Sequence, residues 1–442
     1  MKADLTQGER PMKNLGWTVT LAGLGINLAL GILYTWSVIR QAIETEWDWS
    51  KSQSGWPYSI ACLTFAFLMV PAGRLQDKMG PRLAASIGGV LVGAGMILAG
   101  LCGQYWGAGS YWGYVLGFGV LAGAGIGFGY AAATPPAVKW FPPSQTGMVA
   151  GIVVAGFGLA SVYAAPLSKV LLRALGIANT MLVLGIAFLI VVVGLAQLLA
   201  PPPKGYVPAG TTAAQTAAAK KQRDLAPLQM CGTVQFYLLW FMYACGAGAG
   251  LMIISSLATL GEVQAGIKLG FVLVASLALG NGAGRVIAGS LSDKLGRQQT
   301  MLGCFLFQAA LMILLSMAQK GTPLATVGAL AVISALIGAN YGANLALFPS
   351  VTKDYYGLKN FGVNYGLVFT AWGVGGFALA QLQAWLHDAY KTFTYSCYIA
   401  AALLVVAAAT TFVLKPPASV PGEAEVPAAP VPPERKRILE KV

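Results

Sequence analysis

Arg285 is the residue of this chain whose position most needs a chemical explanation. It lies in the apolar, glycine-rich stretch LALGNGAGRVIAGSLSDKLGR, and no Asp or Glu lies within seven residues of it. A guanidinium keeps its charge at physiological pH and matches a carboxylate with two parallel hydrogen bonds. Asn281 lies one helical turn earlier, on the same helix face. The pair predicts a site that binds an anion.

The depth of Arg285 supports this interpretation. If its helix begins near Ile267, Arg285 lies about 27 Å along it, about 7 Å from the bilayer midplane. Burial there costs roughly 2.5–3.5 kcal/mol, and a side chain that reaches back to the interface would avoid part of this cost. Because Asn281 is a second polar group nearer the centre, we favour a water-filled cavity. The anion itself then neutralises Arg285.

The elements that position this pair are membrane helices. The chain is 57% hydrophobic and 10% charged, with a mean hydropathy of +0.68, whereas soluble domains carry about 25% charged residues. No cleavage site follows the first apolar segment, so we expect a retained helix. Twelve segments of about 20 apolar residues predict spans 1 to 12. These lie near 17–39, 54–72, 83–103, 111–134, 147–170, 177–199, 234–260, 267–292, 299–318, 324–348, 363–386 and 394–414.

The charge distribution predicts topology and argues against nucleic acid. The net charge is +13, but 20 of the 28 Lys and Arg fall on the side that carries both termini. Such a bias marks the cytoplasmic side. We therefore predict a multi-pass protein of the cell inner (plasma) membrane, with both termini cytoplasmic. The six cysteines show no close pairing and the chain has one histidine, so neither a disulfide, a metal nor another cofactor is expected.

The chain divides into two similar halves. We predict a cytoplasmic N-terminus (1–16), two six-helix bundles (17–200 and 231–414), a linker (201–230) and a disordered cytoplasmic tail (415–442). GRLQDKMGPR follows span 2 and GSLSDKLGR follows span 8, with an offset of 216 residues. A second similarity between the halves is that GIGFGYAAA precedes Trp140 and LIGANYGANLALFP precedes Tyr355. Two repeats at corresponding places indicate duplication.

The paired G-x-x-x-D-K-x-G segments resemble the major facilitator superfamily. The resemblance covers about 17–414 and implies an all-α membrane protein of twelve transmembrane helices in two six-helix bundles around a central cavity. It also implies a cytoplasmic latch between helices, formed by the acidic and basic residues of the motif. The alternative is that the basic residues only follow the positive-inside rule. The latch residues would be Asp77, Lys78, Arg82, Asp293, Lys294 and Arg297.

Further segments resemble the monocarboxylate porter family, nearest to its bacterial branch with the oxalate:formate antiporter and lactate transporters. They are YTWSV, GFGYAAATPPAVKWFP, GMVAGIVVAGFG, NGAGRVIAGSLSDKLGR and ALFPSVTKDYYGLKNFGVNYG. The resemblance implies that Arg285 binds the substrate carboxylate. It also implies that aromatic residues of spans 1, 4, 10 and 11 close the cavity, namely Tyr34, Tyr130, Tyr341 and Trp372. The alternative role of each of these aromatic residues is packing or a place in the aromatic belt at the membrane interface.

Two departures from the family pattern bear on substrate and coupling. The oxalate antiporter has a second cation, a lysine, in span 11, where this chain has Trp372. One cation favours a monocarboxylate. Animal monocarboxylate transporters have an aspartate one turn before the arginine and a lysine in span 1. In this chain Asn281 stands at the position of that aspartate, and no lysine lies near Tyr34 in span 1.

We therefore predict a monomeric secondary transporter that moves a small monocarboxylate such as L-lactate or pyruvate together with a proton. A carboxylate exchanger and a membrane sensor with the same pocket are the alternatives. An enzyme is not expected, because no nucleophile and base, phosphate-binding loop or metal cluster is found. Two residues are candidates for carrying the proton. Glu262 lies near the outer end of span 7, and His387, beside Asp388, lies at the outer end of span 11. The cargo carboxylate could also bring its own proton.

Overall fold

The computed structural model describes residues 15–203, 205–211, 224–266 and 270–417, and these form helices without strands. Residues 1–14, residues 204 and 212–223 of the predicted linker, and the predicted tail after residue 417 lie outside the described residues. Nine stretches of the described chain are long and apolar enough to cross a membrane. Two of them, Pro81–Val138 and Pro143–Ala196, each hold two spans, and Thr394–Thr410 is a shorter apolar helix. Together they form the twelve predicted spans.

The first half contains spans 1 to 6. Their bounds are Gly16–Leu30, a 3₁₀ turn Gly31–Thr35 and Trp36–Glu46 for span 1; Lys51–Met79 for span 2; Pro81–Trp106 for span 3; Tyr111–Tyr114, a π-helix Val115–Ala122 and Gly123–Val138 for span 4; and Thr146–Ala196 for spans 5 and 6. Within this last stretch the chain reverses at Gly176, whose φ is 74°.

The second half contains spans 7 to 12, preceded by a short helix at the end of the linker, Pro227–Cys231. Their bounds are Val234–Ala265 for span 7, Gly270–Leu295 for span 8, Arg297–Ser316 for span 9, Val327–Tyr356 for span 10, Phe361–Tyr390 for span 11 and Thr394–Thr410 for span 12. We call the face of the bundle that carries the linker the linker side, and the opposite face the far side.

Local sequence explains several helix ends. Ser50 and Gln53 form a reciprocal cap at the start of span 2, and the hydroxyls of Thr233 and Thr326 cap spans 7 and 10. Each cap satisfies backbone amides that have no partner inside the helix.

Span 8 is held tightly between spans 5 and 10. A side chain on Gly284 would overlap the carbonyl of Ala339 in span 10, and one on Gly151 would overlap the carbonyl of Arg285. Close approach of helix backbones through small residues is the usual way in which membrane helices pack. This packing brings Arg285 to the interface between the two halves.

Candidate functional site

Arg285 is completely buried, and both halves of the molecule surround it. Its exposed fraction is 0%. Its Nε donates to Oδ1 of Asn281 at 3.0 Å, and its Nη1 donates to the carbonyl of Val154 in span 5. Nη2 is buried and has no hydrogen-bond partner among the described residues. The guanidinium is thus fixed on two sides and keeps one donor group for a ligand.

Tyr34, Tyr341 and Trp372 lie on the far side of the site, and they come from spans 1, 10 and 11. The hydroxyls of Tyr34 and Tyr341 share a short hydrogen bond, and the indole of Trp372 donates to the Tyr341 hydroxyl at 2.8 Å. Tyr34 lies in the 3₁₀ turn that interrupts span 1. The Arg285 charge interacts with both tyrosines. Three of the four predicted aromatic residues therefore form one connected group beside Arg285.

Tyr130 belongs to a second group of tyrosines on the linker side of Arg285. The hydroxyls of Tyr243 and Tyr365 lie 3.4 Å apart. The Tyr130 hydroxyl lies near that of Tyr365, without a hydrogen bond that meets the usual criteria. The Arg285 charge interacts with both Tyr130 and Tyr365. The sequence singled out Tyr130 but not Tyr243 or Tyr365.

Three phenylalanines complete the walls of the site. The Phe65 ring centroid lies 5.7 Å from that of Phe157, 5.0 Å from that of Phe369 and 5.2 Å from that of Trp372. Such apolar walls lower the local dielectric and strengthen the attraction between a guanidinium and an anion. These phenylalanines were not predicted, because a phenylalanine in an apolar helix has the same sequence signal whether it faces lipid or ligand. Tyr365, by contrast, lies in the NFGVNYG segment already noted.

A small cavity lies on the far side of this site, between spans 2, 7 and 11. Its volume is about 30 Å³, enough for about two water molecules. Its lining carries no charged residue and consists of Tyr58, Ser59, Cys62, Leu251, Ser255, Gly373, Gly376, Phe377, Ala380 and Gln381. Cys62 also interacts with Tyr34, so the cavity borders the group formed by Tyr34, Tyr341 and Trp372.

On the linker side, Asp77 joins the first half to span 11. Its Oδ1 and Oδ2 accept the backbone amides of Gly362 and Val363 at 3.1 and 3.0 Å. These amides belong to the first turn of a helix, where a carboxylate also interacts favourably with the helix dipole. We call this contact the Asp77 junction.

Asp293 makes the equivalent contact with span 5. Its two oxygens accept the amides of Gly147 and Met148 at 3.2 and 3.0 Å. Nη1 of Arg297 donates to Oδ1 of Asp293 at 2.6 Å, and Nε of Arg297 donates to Oδ2 of Asp354 at 2.9 Å. We call this contact the Asp293 junction.

Lys353 adds a second contact between the two halves at the Asp293 junction. Its Nζ lies 2.8 Å from Oδ1 of Asp354 and donates to the hydroxyl of Thr146 at 2.7 Å. Lys353 is buried, and its exposed fraction is 7%.

The other predicted latch residues lie apart from these contacts. Lys78 and Lys294 are exposed. Arg82 donates its Nε to the carbonyl of Leu199 at 2.9 Å, within its own half. A cation near the Asp77 junction that the sequence did not single out is Lys139, which interacts with Asp77 and with Asp224 of the linker. Burial lowers the pKa of Lys139, and the two carboxylates oppose this shift.

The proton-coupling candidates lie at the far side, away from Arg285. Glu262 is exposed, three residues before the end of span 7. His387 is half-buried near the end of span 11, and its ring stacks on Phe393 with centroids 4.3 Å apart. Neither residue is brought into contact with the site by the fold.

Comparison with known proteins agrees with this architecture. The model of the Major Facilitator Superfamily matches residues 15–277 and 264–441. Among solved structures, the major facilitator transporter FucP in the outward conformation superposes with a TM-score of 0.67 at 15% identity, over 90% of this chain and 98% of that one. This similarity supports the twelve-helix fold.

Two curated relatives are similar in sequence over most of their length. The oxalate:formate antiporter of Oxalobacter formigenes is 27% identical over 88% of this chain and 90% of its own. Monocarboxylate transporter 13 of Rattus norvegicus is 24% identical over 90% of this chain and 88% of its own. Both agree with the resemblance drawn from the sequence segments around Arg285.

Proposed function

The chain belongs to the major facilitator superfamily, and we propose that it is a symporter of protons and small monocarboxylates such as L-lactate and pyruvate. Membership of this family makes it a multi-pass secondary transporter and not an enzyme. The identity of the cargo, the proton coupling and the role of Arg285 are the substance of the proposal.

The observation that carries the proposal is the buried Nη2 group of Arg285. An uncompensated charge in an apolar interior is costly, and a buried N–H donor without an acceptor adds to that cost. A carboxylate placed between the two tyrosine groups would accept from Nη2 and would neutralise the guanidinium. The neighbouring hydroxyls offer further donors for its oxygens.

The number of cations supports a monocarboxylate. Among the described residues, the buried Lys and Arg are Arg285 and Lys353, and Lys353 lies near the linker-side end of span 10. At the place of the second cation of the oxalate antiporter, the Trp372 indole donates to Tyr341. A dianion would therefore keep one charge without a partner, at a large cost.

Anion exchange without a proton is the second candidate, and the placement of the carboxylates favours it. Each helical carboxylate that the structure describes lies within about one turn of a helix end. In the symporter, the proton would then travel on the cargo carboxylate, or on Glu262 or His387. The relative named for oxalate and formate exchange is a precedent for the exchanger.

The charge bias of the sequence supports a plasma-membrane protein whose linker side faces the cytoplasm. We propose that it acts as a monomer, because the site is formed by two halves of one chain. The latched linker side and the cavity on the far side would then correspond to a state that is closed toward the cytoplasm.

The test is uptake of radiolabelled L-lactate into proteoliposomes, with and without an inward proton gradient. We expect uptake that the gradient stimulates, and we expect Arg285→Lys to abolish it, because lysine keeps the charge but loses the forked geometry. Arg173→Lys, at an exposed position, is the matched control and should transport normally. Normal uptake by Arg285→Lys would refute the proposed carboxylate clamp.

Competition and counterflow separate the two candidates. Pyruvate should compete with lactate and oxalate should compete poorly, whereas Trp372→Lys should improve competition by oxalate. Strong inhibition of the wild-type protein by oxalate would contradict the argument from a single cation. Uptake that depends on internal lactate and ignores the proton gradient would identify the exchanger.

A further inference from the structure

Tyr365 connects the two parts of the molecule described so far, the Arg285 site and the Asp77 junction. It is the fifth residue of span 11 and lies two residues after Val363; the amides of Gly362 and Val363 bind Asp77. Three residues of helix span about 4.5 Å. The position of the Tyr365 backbone is therefore tied to the Asp77 junction.

The first turn of span 11 packs closely against the other half. A side chain on Gly362 would lie 2.7 Å from the Gly73 carbonyl and 2.9 Å from Oδ1 of Asp77. The backbones of spans 2 and 11 are therefore in close contact at the junction. A displacement of Tyr365 along or around its helix axis would thus disturb the hydrogen bonds of Asp77.

The Tyr365 hydroxyl lies at the Arg285 site. The residue is 4% exposed, its hydroxyl lies 3.4 Å from that of Tyr243, and it interacts with the Arg285 charge. Its ring packs between Phe361 and Phe369, with centroids 6.0 and 5.7 Å away. The bond to Tyr243 is long for two hydroxyls, so it is easily exchanged for a better acceptor.

A cargo carboxylate is such an acceptor. Hydrogen bonds to ionised groups are roughly twice as strong as bonds between neutral groups. A carboxylate beside Nη2 of Arg285 would draw the Tyr365 hydroxyl away from Tyr243, and the ring would move with the first turn of span 11.

We propose that Tyr365 is a positioning residue that transmits occupancy of the Arg285 site to the Asp77 junction. This inference rests on the proposed function of Arg285 as the anion-binding group. It assigns to Tyr365 a role in coupling that is separate from affinity. Tyr243 shares the same hydroxyl pair but lies on span 7, nine residues from its start, and is not part of the junction.

The experiment measures the distance between the two halves on the linker side. Spin labels are attached through Lys78→Cys and Lys294→Cys, both at exposed positions, after replacement of the half-buried Cys231 and Cys304 by serine. The distance distribution is recorded in nanodiscs with and without L-lactate, and the lactate Kd is measured calorimetrically on the same proteins.

In the parent protein, lactate should shift the distance distribution. Tyr365→Phe should lose at least half of this shift while its lactate Kd rises by about tenfold or somewhat more, as expected for the loss of one hydrogen bond to an ionised group. Tyr398→Phe, at an exposed position of span 12, is the matched control and should keep the shift. A full lactate response in Tyr365→Phe would overturn the proposal. So would a loss of binding as complete as in Arg285→Gln, since Tyr365 would then be a simple ligand.

A second experiment measures the same distance without cargo. Its outcome tests the role of Tyr365 independently of the proposed function. Arg285→Gln removes the charge at the site and should alter the distance distribution of the ligand-free protein. The same substitution should have little effect in the Tyr365→Phe background. If the parent protein does not bind lactate, the monocarboxylate proposal fails and this experiment still decides the role of Tyr365. An equal effect of Arg285→Gln in both backgrounds would refute it.

Discussion

The chain makes the same turn twice on the linker side, and the surroundings of the two turns differ. Gly80 joins spans 2 and 3 with φ 92°, and Gly296 joins spans 8 and 9 with φ 91°. This is the left-handed region that favours glycine. In each case the aspartate three residues earlier accepts two amides at the start of a helix from the other half. The residue that follows the glycine is Pro81 in the first half and Arg297 in the second.

This single difference changes the electrostatics of the two junctions. Arg297 pairs with Asp293 and with Asp354, and its side chain is 14% exposed. Pro81 starts span 3 well but offers Asp77 no donor. The capping of a helix start by aspartate is therefore the shared device of both halves, and the ion-pair network is an addition found in the second.

The correspondence between the two halves also shows that Arg82 has a different counterpart in the second half from the one that the motif suggests. With the 216-residue offset, Arg82 corresponds to Gln298 and not to Arg297. Arg82 donates to the Leu199 carbonyl after span 6, and Gln298 donates to the Thr411 carbonyl after span 12. Both side chains thus tie the start of the third helix of a half to the end of its sixth. Arg82 was expected in the latch because the family resemblance implies that the acidic and basic residues of the GRLQDKMGPR segment form it.

The largest effect is expected for Arg297→Gln. This variant leaves Asp293 and Asp354 without their shared cation in a largely buried place, at a cost of about 2–3 kcal/mol. Thermal unfolding followed by tryptophan fluorescence in detergent should give the lowest midpoint of the series. Lactate uptake should fall with it. A midpoint equal to that of the wild-type protein would show that the network contributes no stability.

Substitution of the two junction aspartates should have the next largest effects, and Asp77→Asn the smaller of the two. Asparagine keeps one acceptor but loses the charge, so we expect a loss of about 1–2 kcal/mol from the two amide contacts. Asp293→Asn is the paired measurement and should cost more, since Arg297 also loses a partner. Equal losses in the two variants would mean that amide capping alone determines the strength of both junctions.

Pro81→Arg should make the two junctions more alike. The new guanidinium would occupy the position that Arg297 has in the second half and would pair with Asp77, for a gain of about 0.5–1 kcal/mol. The unfolding midpoint should rise slightly, and the rate of lactate uptake should fall because the latched state becomes harder to leave. A lower midpoint would indicate that the proline is needed to start span 3.

Arg82→Gln should have the smallest effect, within about 0.5 kcal/mol. The second half already uses a glutamine at this position for the same contact, so the substitution preserves a donor for the Leu199 carbonyl. Both the unfolding midpoint and lactate uptake should match those of the wild-type protein. A loss of transport comparable to that of Asp77→Asn would return Arg82 to the latch.

The sequence by itself determined the membrane class, the twelve spans, the internal repeat and the isolated cation of span 8. These are local properties of the chain. A span is read from a run of apolar residues, a topology from the count of basic residues in loops, and an arginine in an apolar helix is conspicuous wherever it points. The three aromatic residues Tyr34, Tyr341 and Trp372 came from the family resemblance, and the structure places them in one hydrogen-bonded group.

Only the tertiary structure decided which helix faces meet. A membrane helix is apolar toward lipid and toward its neighbours, so its sequence carries little amphipathic signal to tell the two faces apart. Phe65 and Phe157 could therefore not be assigned to the site. The partners of the ionic groups were equally hidden: Asp77 meets amides 285 and 286 residues away, and Arg285 meets a carbonyl 131 residues away. Such contacts depend on how two six-helix halves pack together, which no local pattern in the chain encodes.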